Sequence, residues 1–437
     1  MNARRVRNGL LVAAMSAAAL WLTTSAQGAT PGVNSARARI ITGAGPGGGP
    51  DVRTFSTDGS LKSEFFAYDA GFHGGVRVAT GHLNCDGSSQ VITAPGSGGG
   101  PNVKAFNQDG TPYIGINRTA PTSFFAYDGS MTSGVTLAVG DLDGNGCDEI
   151  ITGTGVGAAP VVRVFNNDGS NAQLDFTAYD PNFKGGVWVA TGDVDGDGRD
   201  EIITGAGPGG GPHVKVWKYG NGAITQVGGG FFAYDPGFVG GVRVATATLG
   251  NNNNAEIITA PGSGGGPNVK GFDVKVSGTG ASFNYTFTPD QSFMAYDAGF
   301  AGGVFVGGDG NHTKSVNIGP ATNTNVDALN MYATGPGAGG GPHINAYRGS
   351  GTNPTNDFFA YDKGFVGGVM VAMGDFGPAS TTTTTQPPRS TTTGGPTSST
   401  ASTSSTASTG STSTTMHTTT SAPATTSTTC AVTGGAC

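Results

Sequence analysis

Residues 40–55 read IITGAGPGGGPDVRTF. An apolar pair and a threonine run into a Gly-Pro turn, and an alternating apolar–polar segment leaves it. The phrase returns at 91–106, 150–165, 202–217, 257–272 and 331–347. A second phrase, Ala-Tyr-Asp, recurs in step with it and places Tyr68, Tyr127, Tyr179, Tyr234, Tyr296 and Tyr361 at intervals of 52 to 65 residues. A period of that size is the mark of a repeat architecture, so the repeated stretch is one array of units and not two or three unrelated domains.

The copy at 185–235 is the most regular. Gly185 to Thr191 alternates and is rich in β-branched residues, so it reads as a strand; Asp193 to Glu201 is a polar loop; Ile202-Ile203-Thr204 is a short buried strand. Gly205 to Pro212 is a turn, His213 to Trp217 alternates again, and Phe231 to Tyr234 supplies a fourth strand. No helical periodicity interrupts this meander. One four-stranded sheet cannot bury both faces, and radial stacking of copies solves that problem. The expected fold class is therefore all-β, a six-bladed β-propeller of four-stranded blades. The first copy lacks its first strand, and residues 366–376 form a first strand without a sequel. The sequence thus predicts that 366–376 pairs with 40–69 and closes the ring.

Composition sets the flanks. Arg4, Arg5 and Arg7 precede an apolar run from Gly9 to Leu22 and small residues near Ala29, the pattern of a secretory signal over 1–29, with an N-terminal anchor as the competing reading. Residues 30–39 are a lead-in, 40–376 carry the repeats, and 377–437 turn abruptly to Thr and Ser with scattered Pro. Such a tail lacks the apolar residues that offset ordering entropy and is expected to be disordered, as a glycosylated stalk or a plain spacer. No other segment is apolar enough to span a bilayer, so a secreted or extracellular location without a membrane span is expected. Charged residues are 12% of the chain and the formal net charge is −7, without the basic patch that a nucleic acid would need.

Two loops carry the sharpest chemistry. In one, Asp141, Asp143 and Asn145 stand at positions 1, 3 and 5, Cys147 at 7 and Glu149 at 9; in the other, Asp193, Asp195, Asp197, Arg199 and Glu201 hold those places. Glycines at 4 and 6 let the backbone wrap, position 7 would offer its carbonyl, and the last acid would complete an oxygen shell suited to Ca2+. The loop at His82 offers Asn84, Asp86 and Ser88 with Gln90 last, a poorer donor set. The loop from Thr248 to Glu256 has Gly250 at position 3 and asparagines after it, which argues against an ion. The Asp309 copy is interrupted by an insertion and the Asp375 copy runs into the tail.

The run from Gly186 to Gly207, GVWVATGDVDGDGRDEIITGAG, resembles the FG-GAP repeat of integrin α-subunit heads and of many secreted bacterial repeat proteins. The resemblance covers about 40–376 and implies a calcium-binding propeller in extracellular adhesion or recognition, with a protein or glycan partner. Integrin heads have seven blades, whereas six are read here. The glycine pattern at Gly43, Gly45 and Gly48 mimics a dinucleotide fingerprint but opens no helix. No nucleophile–base grouping stands out, and the chain is expected not to be an enzyme. Phe72, Phe183, Phe238, Phe300 and Phe365 either plug the gaps between blades or form shallow sugar sites. The four cysteines allow three pairings; Cys430 and Cys437 are close in sequence, and Cys85 and Cys147 lie in the metal-type loops of adjacent units.

Overall fold

The apolar doublets set the plan of the molecule. Side chains alternate across a strand, so the two members of a doublet face opposite ways. Ile40 packs against the preceding unit, among Met331, Ala333 and Ile344, while Ile41 packs against the following one, among Val76 and Val91. Ile150 and Ile151, Ile202 and Ile203, and Ile257 and Ile258 divide in the same way between successive clusters, all at 0% exposure. Each such side chain contributes roughly 1.5–3 kcal/mol by burial. The core is thus a ring of interlayers, one at every seam.

The computed structural model describes residues 37–376, apart from Asp86, 116–117, Gln173, 250–253, 280–281 and 311–329. The expected signal, the tail, the Cys430–Cys437 pair and the insertion after Gly310 lie outside the described residues. Among the described residues the strands form six four-stranded antiparallel sheets, the blades of a propeller, and no helix. Blade 4 has an inner strand Val187–Gly192, a second Glu201–Ala206, a third His213–Gly220 and an outer one Ala223–Phe232. The outer strand therefore stops before Tyr234, which belongs to the connection between blades. The ring closes as expected: Val369–Asp375 is the inner strand of blade 1 and pairs with Ala38–Ala44, from Ala38 opposite Asp375 to Ala44 opposite Val369.

The seams share one lock. Each tyrosine reaches across to the next blade and donates its hydroxyl to the carbonyl of the first residue in that blade's third strand. Tyr68 bonds Asn102 O at 2.8 Å, Tyr127 bonds Val161 O at 3.0 Å, Tyr179 bonds His213 O at 2.8 Å and Tyr234 bonds Asn268 O at 2.7 Å. Tyr296 bonds His343 O at 2.9 Å, and Tyr361 closes the circle on Asp51 O at 3.0 Å. The threonine after each doublet meets the same hydroxyl, as Thr42 does with Tyr361 at 3.1 Å. A cation two residues into the third strand then crosses the tyrosine ring and donates to the carbonyl of the preceding alanine: Lys104 over Tyr68 to Ala67 O, Lys215 over Tyr179 to Ala178 O, Arg53 over Tyr361 to Ala360 O. Asn345 replaces the cation at the seam between blades 5 and 6 and donates to Ala295 O.

The phenylalanines of the connections are plugs. A Cβ on Gly48, Gly99, Gly210, Gly265 or Gly340 would come within 3 Å of the ring tip of Phe365, Phe72, Phe183, Phe238 or Phe300 respectively. The aspartate after each tyrosine closes a turn, as Asp235 Oδ1 accepts from Gly237 N at 2.8 Å, so it is held by its own loop. Tyr361→Phe removes the lock at the closing seam. It should lower the unfolding free energy by roughly 1–2 kcal/mol, the effect of one buried hydrogen bond, with a similar loss for Tyr179→Phe in denaturant titrations. An unchanged midpoint for Tyr361→Phe alone would mean that the closing seam is held by other contacts.

Candidate metal centre

The loop between the inner and second strands is shaped by its first aspartate. Asp141 Oδ1 accepts from Gly144 N at 2.7 Å and Asn145 N at 3.1 Å, and its Oδ2 accepts from Gly146 N at 2.6 Å. Gly144 and Gly146 both have positive φ, 81° and 89°, which a side chain would resist. Asp193 is held identically by Gly196, Asp197 and Gly198. Position 9 braces the loop from the far side: Glu149 Oε2 accepts from Leu142 N at 2.9 Å, and Glu201 Oε2 from Val194 N at 3.1 Å.

These turns gather acids. Asp141, Asp143 and Glu149 bring carboxylate oxygens within 4.8 Å of one another, as do Asp193, Asp195 and Asp197. A set of hard oxygen donors at that spacing fits a hard divalent cation. Burial, with Asp143 and Asp148 adding to it, pushes the Glu149 carboxyl up to about 8. Burial and then Asp195 push Glu201 up to about 8 as well, and burial raises Asp193. Asn145 and Asp197 use Oδ1 to accept from the N–H of residues 147 and 199, which orients position 7.

The two loops follow one pattern in sequence and differ in their surroundings. Lys218, from the end of the third strand in blade 4, lays its ammonium against Asp195, lies 2.9 Å from Asp197 Oδ2 and 3.1 Å from Glu201 Oε1. Burial opposes that ammonium, but Glu201, Asp195 and Asp197 outweigh it and hold its pKa above the usual lysine value. Tyr285 donates to Asp195 Oδ2 as well, at 2.6 Å. Among the described residues no basic side chain pairs with Asp143 or Glu149. The second loop carries an internal cation, and the first is the better site for a metal. Lys218 lies 17 residues beyond Glu201 on another strand, so no loop motif signals it.

The loops are also linked to one another. The N–H at position 8 donates to the carbonyl at position 1 of the preceding blade's loop: Ser89 to Asp375, Asp148 to His82, Asp200 to Asp141 and Ala255 to Asp193. Asp148 and Asp200 reinforce this by accepting from His82 N at 2.7 Å and Asp141 N at 3.1 Å. Cys85 and Cys147 form a disulfide with their Cα atoms 4.4 Å apart, which ties the His82 loop to the first acidic loop across the seam. Closing 62 residues in this way stabilises the fold by about 4 kcal/mol in the chain-entropy account. In the His82 loop Gln90 Oε1 braces Leu83 N at 2.8 Å while its amide nitrogen faces Ser88 O at 2.9 Å. An amide N–H2 is no metal ligand, so this copy keeps the brace and loses the charge. Asp86 and residues 250–253 of the next weak copy lie outside the described residues.

Two outcomes test the centre. Calcium titration calorimetry should show the tighter event lost in Glu149→Gln and a second event strengthened about tenfold or more in Lys218→Met, where roughly 1.4 kcal/mol of competition is relieved. Equal sites in the unmodified chain would contradict the role given to Lys218. In metal-stripped protein the raised carboxyl of Glu149 favours its neutral form. Its contribution to stability is full below about 4.5 and is lost as pH rises through about 8. The melting temperature of stripped protein should therefore fall across that window, and added calcium should remove the fall.

Residues 185–225 match the family model of the FG-GAP repeat. No curated protein matches the chain. Among solved structures, a lectin from Agrocybe aegerita that recognises non-reducing terminal N-acetylglucosamine is 17% identical over 75% of this chain and 77% of its own, with a TM-score of 0.37. The rhamnogalacturonan lyase YesW is 13% identical over 54% of this chain and 56% of its own, with a TM-score of 0.30. A Bacillus licheniformis rhamnogalacturonan lyase is 12% identical over 59% and 64%, with a TM-score of 0.29. The chain spans less than two thirds of the length of either lyase. Blade 4 thus carries an FG-GAP repeat, and six four-stranded blades built on the same phrases fit an FG-GAP β-propeller.

Proposed function

We propose that this chain is a secreted, calcium-binding propeller that acts as a non-enzymatic adhesion or recognition module. The observation that supports it best is a ring of exposed apolar side chains. The last residue of the outer strand is Phe66, Phe125, Phe232, Met294 and Phe359 in blades 1, 2, 4, 5 and 6, each 44–62% exposed, with Thr177 at that place in blade 3. A single exposed phenylalanine needs no explanation, but five large apolar groups at equivalent places form a repeating surface. Each sits opposite the first residue of the third strand, such as Asn102, His213 or His343. His213 and His343 stack on Phe232 and Phe359 at 4.8 and 4.9 Å, so these histidines belong to the repeating surface. Several weak equivalent contacts add up to firm attachment when the partner also repeats.

The calcium loops lie at the opposite end of the blades from the Gly-Pro turns and the tyrosine connections. Metal there braces the scaffold while the partner, an extracellular protein or glycan, meets the other face and rim. A multivalent lectin is the second reading. It is favoured by a cavity of about 370 Å3 between blades 1 and 2, lined by Phe66, Phe106, Lys104, Thr122 and Ser123, an aromatic wall beside polar groups.

The test is a binding screen on matrix proteins and glycans with calcium present. Binding should weaken when Phe66, Phe125, Phe232 and Phe359 are changed together to Ser, and chelation should lower the melting temperature. A melting curve indifferent to chelator would sink the calcium reading, and catalytic turnover of a captured polysaccharide would sink the non-enzymatic one.

A further inference from the structure

The axial channel holds a feature that neither the metal loops nor the rim uses. The second residue of every inner strand lines one layer of the channel: Met370, Arg77, Thr136, Trp188, Arg243 and Phe305, one from each blade in turn. This layer lies one residue inside the Gly-Pro turns, since Arg77 pairs with Ala94 and Arg243 with Ala260, just before Pro95 and Pro261. The acidic loops are at the other end of the same strands.

Two arginines in one layer of a narrow channel are costly unless something answers their charge. Arg243 is 9% exposed, and no protein group among the described residues accepts from Nε or Nη1 of either arginine. Neither has an acidic partner among those residues. Aromatic faces meet the charge in part: the Arg77 guanidinium carbon is 4.4 Å from the Trp188 ring centre, and that of Arg243 is 3.6 Å from Phe305 and 5.6 Å from Trp188. Stacking uses the flat face of a guanidinium and leaves its N–H edge for an acceptor. Burial lowers both guanidinium pKa values, and the Arg77 charge lowers that of Arg243 further. Both stay protonated at neutral pH, so two positive charges share the site.

The cavity they line is narrow, about 70 Å3, and favours a slender ligand over a ring. Trp188, Phe305 and Met370 are suited to methylenes, and the two guanidinium edges are suited to a planar anion. We propose that the axial layer of Arg77 and Arg243 is a binding site for a carboxylate carried on a slender unbranched stem, such as an acidic side chain of a partner peptide. This site is independent of the calcium loops and of the rim.

Calorimetry of the full chain in calcium-free buffer tests it, with glutarate as the probe. Glutarate should bind saturably at one site, while glutaramide, its neutral counterpart, should not. Arg243→Met and Arg77→Met should each weaken glutarate by roughly ten- to hundred-fold, the range spanned by a hydrogen bond to a charged group, with the melting temperature recording that the ring is intact. Should either variant fail to fold, the comparison of glutarate with glutaramide on the unmodified chain still decides. No saturable heat with glutarate would overturn the proposal, as would unchanged affinity in the folded variants. Glucuronate or sulfate binding as tightly as glutarate would also overturn it, because the site would then not select a slender carboxylate.

Discussion

The hydroxyl of each connecting tyrosine sets the spacing between two blades, and the rest of the ring is built to that spacing. A phenol that must reach the carbonyl opening the next blade's third strand brings the two backbones very close. The glycine after each second strand answers this closeness. A Cβ on Gly45, Gly96, Gly155, Gly207, Gly262 or Gly337 would fall 1.9–2.1 Å from a carbonyl oxygen of the incoming connection. No side chain fits there, because backbone cannot yield as a side chain can. The glycine N–H uses the closeness instead: Gly96 donates to Gly75 O and Gly262 to Gly241 O at 2.9 and 3.0 Å. The high glycine content, 79 of 437 residues, is therefore in part a seam requirement repeated around the ring.

The same spacing governs the far end of the blades. Because neighbouring inner strands are fixed, the N–H at position 8 of one metal-type loop falls beside the carbonyl at position 1 of the loop before it. A metal that stiffens the Asp141 loop acts on a chain of loops and not on an isolated turn. Cys147 is bonded to Cys85 on one side of it, and Asp200 accepts from Asp141 N on the other.

Blade number, strand order and ring closure are legible in the sequence, because each follows from phrases that recur at a regular interval. The apolar doublets and the truncated first and last units are local patterns with one geometric solution. The acidic loops are legible for the same reason, since their ligands lie within nine residues. What the sequence hides depends on where a side chain reaches. Lys218 follows an alternating strand and reads as a surface lysine until the third strand is seen to run back over the Asp193 loop. Arg77 and Arg243 occupy a strand position that holds Trp188 and Phe305 elsewhere, and only the ring brings the four together. The lysines and arginines over the tyrosines are likewise separated from them by tens of residues.

The uneven decay of the metal loops follows from what position 9 must do. In three copies its side-chain oxygen accepts from the N–H of position 2, at Leu83, Leu142 and Val194. Gln90 meets that demand as well as Glu149 or Glu201 does, since one carbonyl oxygen suffices. The second oxygen is the one left for a metal, and replacing it with an amide nitrogen leaves the loop braced. Position 8 joins neighbouring loops through its backbone N–H, which Ser89 and Ala255 offer as readily as Asp148 and Asp200. The scaffold therefore asks these loops only for backbone groups and one neutral acceptor. Charge can be lost at a copy without opening the ring, or countered from outside it as Lys218 does, so the acidic donor set varies from blade to blade while the tyrosine lock does not.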